Sequence, residues 1–172
     1  MNSRSGGRVG AATSMWVNNA PYVGMIVLGA WGLYLAGGMG VWRWLGPMLY
    51  VGYGLGGTLW LVVFLCPHCA AHGSVLCPSG HGVVSGKLRG KRPGGEFARQ
   101  FKRHIPVIVP MWFAPLVAGG VALAGEWSWG LAGVLAGFAA AGLVGVPMVS
   151  ARHGCARCPQ RGSCPWGKKK AQ

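Results

Sequence analysis

Acidic residues are almost absent from this chain of 172 residues, which contains only Glu96 and Glu126. Charged residues of both signs make up 10% of the sequence, whereas a soluble domain carries roughly 25%. None lies inside the long apolar stretches. Ion translocation requires ionisable groups within the membrane, so it is not expected of this chain alone. No residue has the setting of an acid or base catalyst, which favours a subunit of an oxidoreductase complex over an independent enzyme.

The sequence is rich in long apolar stretches. The chain is 52% hydrophobic, with 32 Gly and 9 Trp, a composition typical of membrane helices and their interfaces. Each apolar stretch is close to the roughly 20 residues that span about 30 Å of hydrocarbon. The sequence therefore predicts an all-α integral membrane protein that forms a single domain over residues 1–172. Its four transmembrane helices are arranged as two hairpins, and we expect them at residues 20–37, 45–65, 105–125 and 127–150.

The first helix has an alternative interpretation. Arg4 and Arg8 precede a short apolar run, as in a secretory signal peptide. The length of the run, followed by Trp42 and Trp44, favours a retained helix. Residues 1–19 lack periodicity, and we expect a flexible or interfacial lead-in there.

Basic residues orient the predicted bundle. Those in short flanking loops stay in the cytoplasm, and all 16 Lys and Arg residues except Arg43 fall on one predicted side. Both termini and both cysteine loops, residues 66–103 and 151–172, are therefore predicted at the cytoplasmic face of the inner membrane of the cell. This basic face would attract anionic lipid and steer an acidic soluble redox partner. Nucleic acid binding is not expected, because no reading motif accompanies the charge.

Two triplets of similar design contain all six cysteines. Cys66-Pro-His-Cys69 is followed by Cys77, and Cys155-Ala-Arg-Cys158 is followed by Cys164. Cytosolic thiols stay reduced, which favours metal ligation over disulfides. Each Cys-x-x-Cys places two thiolates on one tight turn, where they can hold one metal or two irons of a cluster.

The number of cysteine and histidine ligands is compatible with several kinds of metal centre. One [4Fe–4S] cluster would use four of the six thiolates, and two clusters would each have three and one open position. Two zinc ions would each need a histidine, from His68, His72 or His81 in the first triplet and from His153 in the second. A third hypothesis is redox-active or metal-relay thiols, whose pKa neighbouring Lys and Arg would lower.

The chain has the outline of an internal repeat. Residues 21–66 and 106–155 each contain a helix pair that ends at a cysteine triplet. Parallel repeats are related by an axis along the membrane normal, across which the two triplets would face each other.

Glycine and proline mark the remaining irregular segments. Residues 81–103 hold many glycines, so we expect a loop until Glu96 begins a basic amphipathic stretch. The third apolar stretch carries Pro106, Pro110 and Pro115, which predict a kink in the cytoplasmic half of its helix, with the freed carbonyls satisfied by neighbours.

These patterns favour a membrane subunit with an iron–sulfur centre at the cytoplasmic surface, which passes electrons between a soluble or peripheral partner and a membrane acceptor such as quinone. The alternative is a zinc-stabilised scaffold of a larger membrane complex. A third possibility is a soft-metal transporter or thiol relay. Four helices with cysteine pairs resemble mercury-transport membrane proteins, but that family looks to use thiols within a spanning helix, and no apolar stretch here contains one.

Overall fold

The computed structural model describes residues 3–162 and 164–165, and these residues form helices and turns without a β-strand. The α-helices are α1 Ser3–Ala36, α2 Trp42–Phe64, α3 His81–Leu88, α4 Phe97–His104, α5 Pro110–Gly125, α6 Trp129–Ala139 and α7 Val146–Val149. Short 3₁₀ segments lie at Cys66–His68, Gly94–Glu96, Ile105–Ile108 and Cys155–Arg157. The wider π-helical turns are Ala140–Gly145 and Ser150–Gly154.

Within these residues, four helical segments are long and apolar enough to cross a membrane, namely Met15–Ala36, Trp42–His68, Phe97–Gly125 and Trp129–Gly154. The predicted all-helical chain with four spans is confirmed at this level. The hairpin arrangement and the cytoplasmic position of the termini stay predictions. Cys66 lies in the last turn of the second span, and Cys155 directly follows the fourth.

Two segments are more helical than the sequence suggests. Helix α1 begins at Ser3 and runs without interruption to Ala36, where the sequence predicts a flexible or interfacial lead-in without periodicity over residues 1–19. Once a helix is nucleated, each further residue adds one hydrogen bond, so the apolar part can propagate into a weakly helical flank. Residues 81–103, predicted as a loop up to Glu96, contain α3 as well as the basic helix α4.

The chain divides into two compact units. Unit 1 is formed by the described parts of Met1–Ala20, Leu59–Ile105 and Met148–Gln172, and therefore contains both cysteine triplets. Unit 2 is formed by Pro21–Thr58 and Pro106–Pro147. The single membrane domain over residues 1–172 stays a prediction.

Unit 2 has a core built from all four apolar stretches. Met25, Tyr50, Met111 and Phe138 are its buried centre. The helices approach closely because of glycine: a Cβ added to Gly29 would lie 2.6 Å from the Tyr50 hydroxyl. Small residues at such contacts are the usual means of packing helices in a membrane.

The prolines of the third stretch interrupt its helix, where the sequence predicts a kink. Pro106 falls in the 3₁₀ segment that separates α4 from α5, and Pro110 is the first residue of α5. Pro115 has no N–H to donate to the Met111 carbonyl one turn earlier. The Tyr50 hydroxyl donates to that carbonyl instead, at 3.2 Å, which confirms that a neighbouring helix satisfies it.

Candidate metal centre

The first cysteine triplet starts where α2 ends. Cys66–His68 is a 3₁₀ turn, and the Cys69 N–H donates to the Cys66 carbonyl at 3.0 Å. A second turn follows, in which the His72 N–H donates to the Cys69 carbonyl at 3.1 Å. Cys77 closes the loop with a third, since its carbonyl accepts from the Gly80 N–H at 3.0 Å.

Helix α3 holds this loop in place through two glycines one turn apart. A Cβ on Gly82 would lie 2.4 Å from the Ala71 carbonyl oxygen, and one on Gly86 would lie 2.6 Å from the Gly73 Cα. The Gly73 N–H also donates to the Gly82 carbonyl at 2.9 Å. These glycines therefore permit backbone-to-backbone contact, which explains a helix where glycine suggested a loop.

The second triplet repeats the local geometry of the first. The π-helical turn Ser150–Gly154 leads into the 3₁₀ turn Cys155–Arg157. The Cys158 N–H donates to the Cys155 carbonyl at 3.4 Å, and the Arg161 N–H donates to the Cys158 carbonyl at 3.1 Å. Both Cys-x-x-Cys sequences thus form two successive turns of the same kind. The internal repeat of helix pairs stays a prediction.

A buried glutamine connects the two loops. Gln160 is only 6% exposed, and its side-chain oxygen accepts a hydrogen bond of 2.6 Å from the N–H of Ala70, the residue after Cys69. The backbone carbonyl of Gln160 also accepts from the Cys164 N–H at 2.9 Å. Gln160 therefore bonds to the backbone of Cys164 in its own loop and to the backbone of the first loop.

Helix α1 contacts both loops near its residues 18 and 19. The Asn19 side chain donates to the Ser79 carbonyl at 3.1 Å, two residues after Cys77. A Cβ on Gly154 would lie 2.6 Å from the Asn18 side-chain oxygen and 3.6 Å from the Pro78 Cβ. The residue before Cys155 is thus packed against α1 and the first loop together.

Cys69 and Cys158, which lie outside the membrane spans, are partly buried thiols. Burial raises the pKa of Cys69; the Ala71 N–H lowers it in part, and the nearby Cys158, Cys77 and Cys164 raise it further. Burial also raises the pKa of Cys158, opposed by the Gln160 N–H and reinforced by Cys155, Cys164 and Cys77. The thiol-relay hypothesis expected lowered values. Protonated thiols are poor nucleophiles, so these two lack the signature of reactive cysteines.

Two of the candidate histidines contact the basic loop that follows α3. His68 is 4% exposed, and its Nδ1 lies 3.3 Å from the Pro93 carbonyl oxygen. The His72 Nε2 lies 3.1 Å from the Arg89 carbonyl oxygen. A carbonyl can only accept, so each of these nitrogens is the donor. Such bonds also orient the imidazoles that bind metals in other proteins.

The other two candidate histidines lie further along their loops. His81 is the first residue of α3, and burial lowers its pKa. His153 is exposed on the π-helical turn before Cys155. Across the described ranges 3–162 and 164–165, no three side chains of Cys, His, Asp or Glu stand at metal-binding spacing. The fold thus brings the two triplets into one unit without drawing three ligands onto one point.

The donor set nevertheless fits a soft metal. Both triplets offer sulfur on short turns, and carboxylates, which hard cations prefer, are nearly absent. The backbone of the basic loop reaches the first turn, where the Arg92 N–H donates to the Pro67 carbonyl at 2.9 Å, and the Arg92 side chain is exposed. Positive charge near the site would offset the charge of several thiolates.

Sequence reasoning identified the cysteines but missed the residues that position them. Gln160, Asn18 and Asn19 follow no metal-binding pattern, and their contacts depend on the tertiary fold. The spacing of Gly82 and Gly86 was the one usable signal, because small residues four apart form a smooth helix face. Lys168, Lys169 and Lys170, which contribute to the predicted basic face, lie outside the described residues.

No protein-family profile matches this sequence, and searches of curated proteins and of solved structures gave no significant match. The function is therefore inferred from the chain's own residues.

Proposed function

We propose that the chain is a membrane subunit with an iron–sulfur centre at the cytoplasmic surface. It passes electrons between a soluble or peripheral redox partner and a membrane acceptor such as quinone. The observation that carries the proposal is the Gln160 bond to Ala70, which joins a second-loop residue to the backbone beside Cys69. Two loops tied in this way can contribute thiolates to a common centre.

The cysteines are the groups that would hold the cluster. An iron–sulfur cluster bound there would accept and release single electrons at a potential set by charge, hydrogen bonds to sulfur and solvent exposure. The chain limits solvent through the burial of Cys77, which is 8% exposed, and of the residues around Cys69. Cys66 in the last turn of the second span brings the same loop to the membrane boundary.

The basic loop supports an acidic donor. Lys87, Arg89, Lys91 and Arg92 are exposed. His68 and His72 contact the backbone of this loop, which keeps its charges close to the first cysteine turn. Complementary charge raises the rate of encounter with a partner of opposite sign and makes that rate sensitive to salt.

An apolar cleft in unit 2 supports a lipid-soluble acceptor. Its volume is about 350 Å³, and its lining includes Leu33, Leu49, Tyr53 and Met111. Ligand pockets have volumes of roughly 300–1,000 Å³ and mostly apolar walls. The hydroxyls of Tyr50 and Tyr53 donate to backbone carbonyls of residues 111 and 107, so the cleft suits a hydrocarbon chain.

A zinc-stabilised scaffold is the second candidate. It is favoured by the dense packing of α3 on the first loop, where Ser85 is fully buried and Ala71 is 2% exposed. Zinc held by four protein ligands stabilises small folded loops of this kind without redox chemistry. In that case the basic surface would bind another subunit.

Electron transfer tests the first proposal directly. The full chain, purified anaerobically in detergent, is reduced with dithionite, freed of excess reductant and mixed with a short-chain quinone. We expect an electron paramagnetic resonance signal that disappears as quinol forms. Cys69→Ala should abolish the signal, whereas Val75→Ala, at an exposed position of the same loop, should retain it. Wild-type protein with zinc and no signal would overturn this proposal in favour of the scaffold.

A further inference from the structure

We infer that helix α4, Phe97–His104, is a binding site for the headgroups of anionic phospholipids, which it contacts through Arg99, Lys102 and Arg103. The site contains none of the cysteines, so it does not depend on the metal centre proposed above. It assigns the basic residues of α4 to the membrane surface and leaves those between α3 and α4 for an acidic protein partner.

Helix α4 has an apolar face and a basic face. In a helix with about 3.6 residues per turn, residues at positions i, i+4 and i+7 share one side. The residues at these positions in α4 are Phe97, Phe101 and His104. The three cations of the helix fall on the opposite side, and all of them are exposed.

The apolar face of α4 is packed against the protein. Phe97 is 7% exposed, and its ring centroid lies 5.8 Å from that of Phe101. The His104 Nδ1 accepts a hydrogen bond of 3.1 Å from the indole N–H of Trp60 in α2. The His104 ring also stacks on Phe64, with 5.6 Å between the centroids. Because these contacts hold one face of α4 to the protein, the basic face is turned away from it.

The length of the third span assigns α4 to the level of the headgroups. The span Phe97–Gly125 has 29 residues, whereas about 20 are enough to cross the hydrocarbon. Its apolar stretch, residues 105–125, is long enough by itself, so the polar helix α4 extends beyond the hydrocarbon. Trp60, to which His104 is bonded, is of a residue type that collects at this level of the membrane.

The charge of the basic face is not balanced by the chain itself. Within the described part of the chain the only ion pair joins Arg99 to Glu96, at 2.5 Å. The other acidic residue of the sequence, Glu126, follows the opposite end of the third span, so it is no partner for Lys102 or Arg103. Lipid phosphate supplies the missing negative charge, and each cation near an anionic membrane surface raises the affinity about fivefold.

Competition between two lipids tests the site. The full chain in detergent is equilibrated with equal amounts of phosphatidylglycerol and phosphatidylcholine that have the same acyl chains, and native mass spectrometry counts the lipids bound to each chain. We expect the wild type to retain phosphatidylglycerol in preference. In a variant that combines Arg99→Gln, Lys102→Gln and Arg103→Gln, this preference should fall by at least about fivefold.

A second triple variant is the matched control. Lys87→Gln, Arg89→Gln and Lys91→Gln together remove the same net charge from the end of α3 and the loop that follows it. All six side chains are exposed and glutamine is a good helix former, so both variants keep the fold. The control should keep the preference for phosphatidylglycerol. Equal losses in the two variants, or no loss in the α4 variant, would overturn the inference.

Glu96→Gln tests the site in the opposite direction. This change releases Arg99 from its ion pair, so the preference for phosphatidylglycerol should rise, and an unchanged or lower preference would contradict the contact of Arg99 with headgroups. Soluble polyglutamate distinguishes the other occupant. If only the α4 triple variant loses polyglutamate binding while its lipid preference is unchanged, the basic face belongs to an acidic protein and the inference is wrong.

Discussion

Replacement of Gln160 by leucine removes the hydrogen bond that ties the two cysteine loops together. In the wild type the Ala70 N–H donates to the Gln160 side-chain oxygen at 2.6 Å, and Gln160 is only 6% exposed. Leucine fills similar space but cannot accept this hydrogen bond. A buried donor left without a partner costs about 1–3 kcal/mol. Since 1.4 kcal/mol is a factor of ten, opening of the loops should become about 5- to 140-fold more frequent.

Amide hydrogen exchange of the metal-free chain in detergent, resolved to the Ala70 N–H, measures this opening. Gln160→Leu should accelerate Ala70 exchange within that range. Gln160→Glu, which keeps an acceptor oxygen, should remain closer to the wild type. Arg161→Leu is the matched control, because Arg161 is exposed and its turn bond uses only the backbone. An Ala70 amide that exchanges equally fast in Gln160→Leu and Arg161→Leu would refute the reasoning.

Three further predictions concern the packing of the first cysteine loop, the carbonyl freed by Pro115 and the membrane topology. Gly82→Ala should open the first loop, because the new Cβ would lie 2.4 Å from the Ala71 carbonyl oxygen. The overpacking costs about 1–3 kcal/mol, which exceeds the helix propensity that alanine gains over glycine. Limited proteolysis should cleave the first loop faster in Gly82→Ala than in Gly90→Ala, whose added Cβ meets nothing within 4 Å. Tyr50→Phe should lower the free energy of unfolding by about 0.6 kcal/mol, and less in a Pro115→Ala background that restores an N–H to the freed carbonyl; equal losses in a double-mutant cycle would contradict the interpretation. Green fluorescent protein fused to the C-terminus should fluoresce, and alkaline phosphatase fused there should be inactive, if that terminus is cytoplasmic; the reverse pair of results would invert the topology.

The spans were predictable because their signal is local. Apolar runs without ionisable residues identify membrane helices independently of the helices that pack against them. The prolines of the third stretch likewise predicted a kinked helix and a freed carbonyl satisfied by a neighbour; the structure has an interruption instead of a kink, and the Tyr50 hydroxyl donates to the Met111 carbonyl. Each of these predictions depends on the backbone chemistry of one segment.

The supports of the cysteine loops were not predictable in the same way. Gly82 and Gly86 were read as loop residues, because the contacts that require them come from Ala71 and Gly73. Gln160 is paired with a backbone group 90 residues away, and nothing in the neighbouring sequence indicates that partner. The identity of the proposed metal depends on how the cysteine sulfurs would be arranged around it, which composition and spacing do not determine.

Iron and acid-labile sulfide, measured on the chain purified anaerobically in detergent, test the central claim most directly. The account predicts both elements in amounts that fit one or two [4Fe–4S] clusters per chain, with a brown chromophore that Cys158→Ala weakens. Stoichiometric zinc without iron or sulfide would contradict it, and the cysteine loops would then be structural supports.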